Sequence, residues 1–235
     1  MKPINLTLCF LGFACTTPAF SQRFQSGSQP NNISIAQSNL FNNQSVTFFY
    51  GVGNDLVQQE IAKGLKEQLK YDYPNLGDMD VQAPQIIGYQ YHVRERISVG
   101  LIYCNSRVKT PSLEYPDIQN PNEVTKYHYD VSLNSFLGSF DYHWYIHRWR
   151  LSSLTLHSGF ALGVNNINFN TVIEEGDGSN LPNYNFSQGG RGFQFNVIGI
   201  KHSFSLRYLK GLGYHANLGV GVNTIGFTTG IQYTL

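Results

Sequence analysis

Residues 224–235 read TIGFTTGIQYTL. From Ile225 onward, one alternating set is Ile225, Phe227, Thr229, Ile231, Tyr233 and Leu235. The other is Gly226, Thr228, Gly230, Gln232 and Thr234. Successive side chains on a strand point to opposite faces. The segment is therefore a strand with one bulky, mostly apolar face and one small, polar face. What decides the fold is how many other segments share that pattern.

Seven do. Val46, Phe48, Tyr50 and Val52 alternate with small or polar partners, as do Ile87, Tyr89, Tyr91 and Val93. Ile97, Val99, Leu101 and Tyr103 oppose Ser98, Gly100, Ile102 and Cys104. Region 126–147 begins with Tyr127, Tyr129, Val131 and Leu133 against His128, Asp130, Ser132 and Asn134. It then changes phase to Phe136, Phe140, Tyr142, Trp144 and Ile146. One extra residue near Asn134–Ser135, a β-bulge, is the expected cause. The next strand carries Leu154, Leu156, Phe160, Leu162 and Val164. Another begins Phe193, Phe195, Val197 and becomes ambiguous at Ile198 and Ile200. Leu212, Tyr214, Leu218 and Val220 complete the set.

Links between these strands alternate in length. Arg94-Glu95-Arg96, Arg148-Trp149-Arg150 and Ser205–Lys210 are short, whereas residues 55–81, 107–125 and 169–190 are long. Only the last link, near Asn223-Thr224, departs by being short. In the first long link, Val57, Ile61, Leu65 and Leu69 recur every four residues after Asn54 and Asp55. That spacing predicts a short amphipathic helix folded over a rim.

Composition agrees with a β-rich chain: aromatics are 14% of 235 residues and glycines number 23. Charged residues are 13%, against roughly 25% in a typical soluble domain. A formal charge of +1 without a basic stripe speaks against a nucleic-acid partner. Lys2, an apolar run and Ala19-Phe20-Ser21 predict a cleaved export signal over residues 1–21. Residues 22–43, rich in Gln, Asn and Ser, are expected to be a flexible polar tail. The barrel region is then 44–235. Cys9 and Cys15 fall in the signal, so Cys104 has no partner for an internal disulfide.

Eight up-and-down strands form a barrel whose interior is just wide enough for side chains. The Tyr-, Phe-, Leu-, Ile- and Val-rich set cannot all fit inside, so it faces outward. Apolar bands on every strand are intolerable in water but suit hydrocarbon, where a sheet must also close to pair its backbone. The fold expected is an all-β, eight-stranded antiparallel up-and-down transmembrane β-barrel, with a short helix in the first long loop.

The strands QIIGYQYHVRERISVGLIY, LHSGFALGVN and LGYHANLGVGV, closing on TGIQYTL, resemble the small outer-membrane β-barrel family of Gram-negative bacteria. That family includes the membrane domains of outer-membrane proteins A and X. The resemblance covers residues 44–235. It implies residence in an outer membrane, among phospholipid and lipopolysaccharide. It also implies recognition by the barrel-assembly machinery through Gly230, Tyr233 and Leu235 of the last strand. Leu235 departs from the aromatic residue usual at the final position.

The small face carries His92, His128, His143, His157 and His215 with Asp130 and Asp141. Alternation predicts that Asp141, His143, His157 and His215 share the periplasmic half of the lumen. Imidazoles beside carboxylates suit a metal ion, but without a His-x-x-x-His spacing a hydrogen-bonded polar plug is the expectation. No metal or other cofactor is expected. Glu174, Glu175, Asp177 and Ser179 are rim candidates for lipid chemistry, but no histidine shares their phase and height. No Gly-x-Ser-x-Gly occurs. The function expected is non-enzymatic: a structural or surface-interaction barrel acting through its long loops. A small transport barrel is the alternative, followed by a lipid-modifying enzyme.

Overall fold

The computed structural model describes residues 45–116, 124–176, 185–205, 210–221 and 224–235. The export signal, the polar tail, Asp177 and Ser179 lie outside the described residues. The elements are β1 (Val46–Gly53), α1 (Leu56–Leu69), β2 (Asp80–Arg94), β3 (Ile97–Lys109), β4 (Leu113–Pro116), β5 (Val124–Arg148), β6 (Ser152–Glu175), β7 (Phe186–Ser205), β8 (Lys210–Gly221) and β9 (Ile225–Thr234).

Every pairing is antiparallel, and the sheet closes on itself. β1 pairs with β2 on one side and β9 on the other. β3 follows β2 and pairs with β5. From β5 to β9 each strand pairs with the next. β4 lies on the same edge of β5 as β3: Lys109 is opposite Asp130 and Leu113 is opposite Tyr127. β3 and β4 are thus one interrupted stave in a barrel of eight.

The wall has two levels with opposite polarity. Near the short turns the outside is apolar. Leu101, Phe136, Leu162, Phe195, Leu218 and Ile231 are all exposed there. Thr47, Gln90, Ser98, Asp141, His157, His215, Thr228 and Gln232 are buried inside. Outward residues of β5 from Phe136 to Trp144 cover about the 9–11 positions that a tilted strand needs to cross hydrocarbon.

Beyond this belt the faces exchange character. Tyr127, Tyr129, Val131 and Leu133 are buried on the inner face, where α1 and the chain after it cover the first three. Ala62 packs on Val108 and Val131, with Ile61 and Leu65 beside them. Leu69, Tyr73 and Leu76 pack on Leu113, Tyr127 and Tyr129. Gln58 Nε2 donates to Ser106 Oγ on the inner wall at 2.9 Å. The outer wall at this level is polar. Asn105 and Tyr103 both donate to Asn134 Oδ1, and Arg107 forks onto Asp130.

Several sequence expectations are corrected by this arrangement. The β5 ladder runs without interruption through Asn134 and Ser135, so no bulge lies there. The phase change marks instead the height at which the wall's surroundings change. The bulge of β5 lies between His143 and Tyr145, and it turns Ile146 inward. His128 and Asp130 therefore face the outer wall and not the lumen. α1 does not fold over the rim; it seats inside the mouth. The long links are shorter than expected, because β3, β6 and β7 run on past the belt.

Candidate functional site

The lumen is built from every second residue of eight strands, so sequence alternation fixes which side chains meet there. Its centre is an ion pair. Lys201 on β7 reaches Asp141 Oδ2 on β5 at 3.4 Å and donates to Gln90 Oε1 on β2 at 2.5 Å. Gln90 Nε2 in turn donates to the same carboxylate. Lys201 and Asp141 are both buried. A charge removed from water needs such a partner, since an isolated one costs several kcal/mol.

Imidazoles surround this pair. His143 stacks on His157, with ring centroids 5.6 Å apart, and lies 5.3 Å from His92. Ser98 Oγ is 2.9 Å from His143 Nε2, and Thr47 Oγ1 is 3.3 Å from His92 Nε2. His215 meets the Phe49 ring edge-on at 5.3 Å. The lumen thus brings together Asp141, His143, His157 and His92, with His215 on the facing strand. Among the described residues no three His, Cys, Asp or Glu side chains converge as a metal-holding group.

Small residues make room for this layer. A Cβ at Gly159 would meet the Asp141 carboxylate, and one at Gly199 would meet the His157 ring. Gly230 has the same role at the β1–β9 seam, where a Cβ would meet Tyr50 O and Gly51 Cα. Tyr233 and Leu235 of the same strand point outward and are exposed. Above the ion pair, Ile86, Ile102, Cys104, Leu137 and Ala161 form an apolar layer packed on Phe49. Between them is a cavity of about 20 Å³ lined by His215 and Gln232. His215 Nδ1 and Gln232 Oε1 have no protein partner, and a polar cavity of this size accommodates a water.

Sequence alternation missed Lys201. It depends on a bulge at Asn196–Ile198 in β7, which leaves Val197 and Ile198 both exposed and shifts the strand's phase. The doubled apolar pair Val197-Ile198 was the available signal. The rim residues also differ from expectation. Glu174 Oε1 lies 2.7 Å from His128 Nδ1, and Ser112 Oγ donates to Glu174 Oε2 at 2.6 Å. A histidine therefore does join Glu174. The carboxylate sits between the hydroxyl and the imidazole, so His128 cannot take the Ser112 proton as a nucleophile's base would. The hydrogen bond from Ser112, followed by the contact with His128, holds the Glu174 carboxyl below its usual range. Glu175 pairs with Lys126 at 2.7 Å.

No protein-family model matches the chain, and no curated protein matches it. Among solved structures it is similar to Ail, the attachment invasion locus protein of Yersinia pestis, crystallised in complex with the heparin analogue sucrose octasulfate. The identity is 10% and the TM-score 0.36, over 82% of this chain and 97% of that one.

Proposed function

We propose that this protein is a non-enzymatic outer-membrane β-barrel that presents its helix-filled mouth at the cell surface, in a structural or surface-interaction role. One observation carries the reading: the outward positions of the staves form an apolar belt while the lumen holds buried polar and ionised groups. A water-soluble barrel has the reverse arrangement. The short turns then face the periplasm, and the polar outer wall of β3, β5 and β6 rises above the outer leaflet. Arg191, exposed and paired in register with outward-facing Val164, sits at the upper margin of the belt, within reach of lipopolysaccharide phosphates. The assembly machinery is the proposed reader of β9, through outward-facing Tyr233 and Leu235. The closed Lys201–Asp141–Gln90 layer supports a plugged lumen over a transport role.

The test is topological. Glu67→Cys on α1 and Glu95→Cys in the β2–β3 turn are each labelled with a membrane-impermeant maleimide in intact cells. Position 67 is expected to label, and position 95 only after the outer membrane is permeabilised. The opposite pattern, or recovery of the chain in the soluble fraction, overturns the reading. Buried Cys104 provides the unreactive background.

A further inference from the structure

At the short-turn end the lumen opens through a vestibule of about 70 Å³. Its charge differs from that of the rest of the molecule. Three cationic side chains, Arg94, Arg148 and Lys201, line it with one carboxylate, Glu95. That carboxylate is already committed, because Glu95 Oε1 accepts from Arg148 Nη2 at 2.9 Å. Arg94 is exposed and has no ion-pair partner among the described residues. Lys201 stands at the inner end, where Gln90 and Asp141 take two of its three ammonium protons. Thr47, Ser153, Thr155 and Ser203 add hydroxyls that can donate or accept.

With Arg148 paired to Glu95 and Lys201 to Asp141, Arg94 is the lining cation left without an ion-pair partner among the described residues, and the vestibule carries one net positive charge. Higher on the wall, Arg107 has Asp130 and Lys126 has Glu175. We propose that the vestibule binds a phosphate-sized oxyanion that enters from solution at the short-turn end. The guanidinium fork of Arg94 at the mouth matches the oxygen geometry of such an ion, and the lining hydroxyls add donors. Entry is axial, through the mouth, whereas lipid headgroups pack against the outer wall. The ligand is therefore a soluble anion, and that it comes from the periplasm rests on the orientation proposed above.

The experiment folds the chain in an uncharged maltoside detergent, checks folding by heat-modifiable electrophoretic mobility, and titrates inorganic phosphate by NMR. Saturable shifts are expected. Arg94→Gln weakens binding about tenfold, as loss of one charge-assisted contact should. Arg96→Gln, which removes the same charge from the same turn outside the lining, changes affinity less than twofold. Non-saturable shifts, or equal weakening by both variants, reduce the effect to diffuse rim charge and overturn the proposal. Competition by phosphatidylglycerol in nanodiscs relocates the site to the lipid surface and overturns it equally. A chain that never reaches a heat-modifiable form removes the barrel itself, and that outcome is visible before any phosphate is added.

Discussion

Asp141 shows most directly how much one lumenal side chain carries. It is buried, and its carboxylate is the counter-ion of buried Lys201. Replacing it with Asn keeps the volume and removes the charge, leaving the ammonium unpaired in a water-poor site. Removing one partner of a buried pair costs about 3–5 kcal/mol, while removing both is close to neutral. Asp141→Asn is expected to lower unfolding stability by about that amount in a urea titration of the detergent-folded barrel. Asp141→Asn with Lys201→Met should recover most of it. Equal losses for the single and double variants would show that the pair is not coupled. Glu174 is different, because it lies on the exposed upper wall. Its folded pKa is lowered, so its contribution is complete above the ordinary carboxylate value of about 4.3 and is lost as pH falls through the lower folded value. The protection factor of the His128 amide is expected to fall below that ordinary value in wild type but to stay flat in Glu174→Gln. Position in an alternating strand made Asp141, His143, His157 and His215 legible from sequence. Lys201 and Arg94 were hidden because each follows a ladder irregularity, at Asn196–Ile198 and at His92–Arg94, and a single extra residue exchanges the faces.

Among the elements, α1 is the one whose role the sequence described least well. Its apolar spacing predicted a helix, and Leu56–Leu69 is helical. Where it docks is not legible in its spacing, because alternation in a lipid-facing barrel implies a polar inner face throughout and its partners sit on an apolar one. Alternation alone places Tyr127, Tyr129, Val131 and Leu133 outward for the same reason, and needs a bulge to reconcile them with Phe136. Periodicity reports that one face differs from the other; it does not report which solvent each face meets. Once β5 rises above the belt, water lies outside and α1 lies inside, so the same alternation acquires the opposite meaning. Ala62 tests this docking, being buried against Val108 and Val131. Ala62→Glu places an unpaired charge in that contact, at a cost of several kcal/mol, and is expected to unseat the helix alone. Proteolysis should then cut within residues 56–69, while heat-modifiable mobility of the barrel stays unchanged. If the whole barrel is lost instead, the helix is integral to the wall and not a seated plug.

For the whole molecule, the belt fixes how deep the barrel sits. Trp144 and Trp149 are both exposed near the short-turn end, close to where the apolar positions stop. Tryptophan favours the headgroup boundary. Bromines placed shallow on the acyl chains should therefore quench its fluorescence more strongly than bromines near the chain ends. Equal quenching at both depths would put the boundary elsewhere. The closing seam has a consequence of another kind. Thr47 of β1 bonds Thr234 of β9 at 2.9 Å across a separation of 187 residues, and every backbone rung between these two strands joins the start of the barrel sequence to its finish. Until the last strand has been made and delivered, the first has an open edge with unpaired amides and carbonyls, a template for any other strand nearby. Long-range pairing of this kind is slow to form. The barrel therefore cannot seal piece by piece: its first strand keeps an open edge until its ninth is in place.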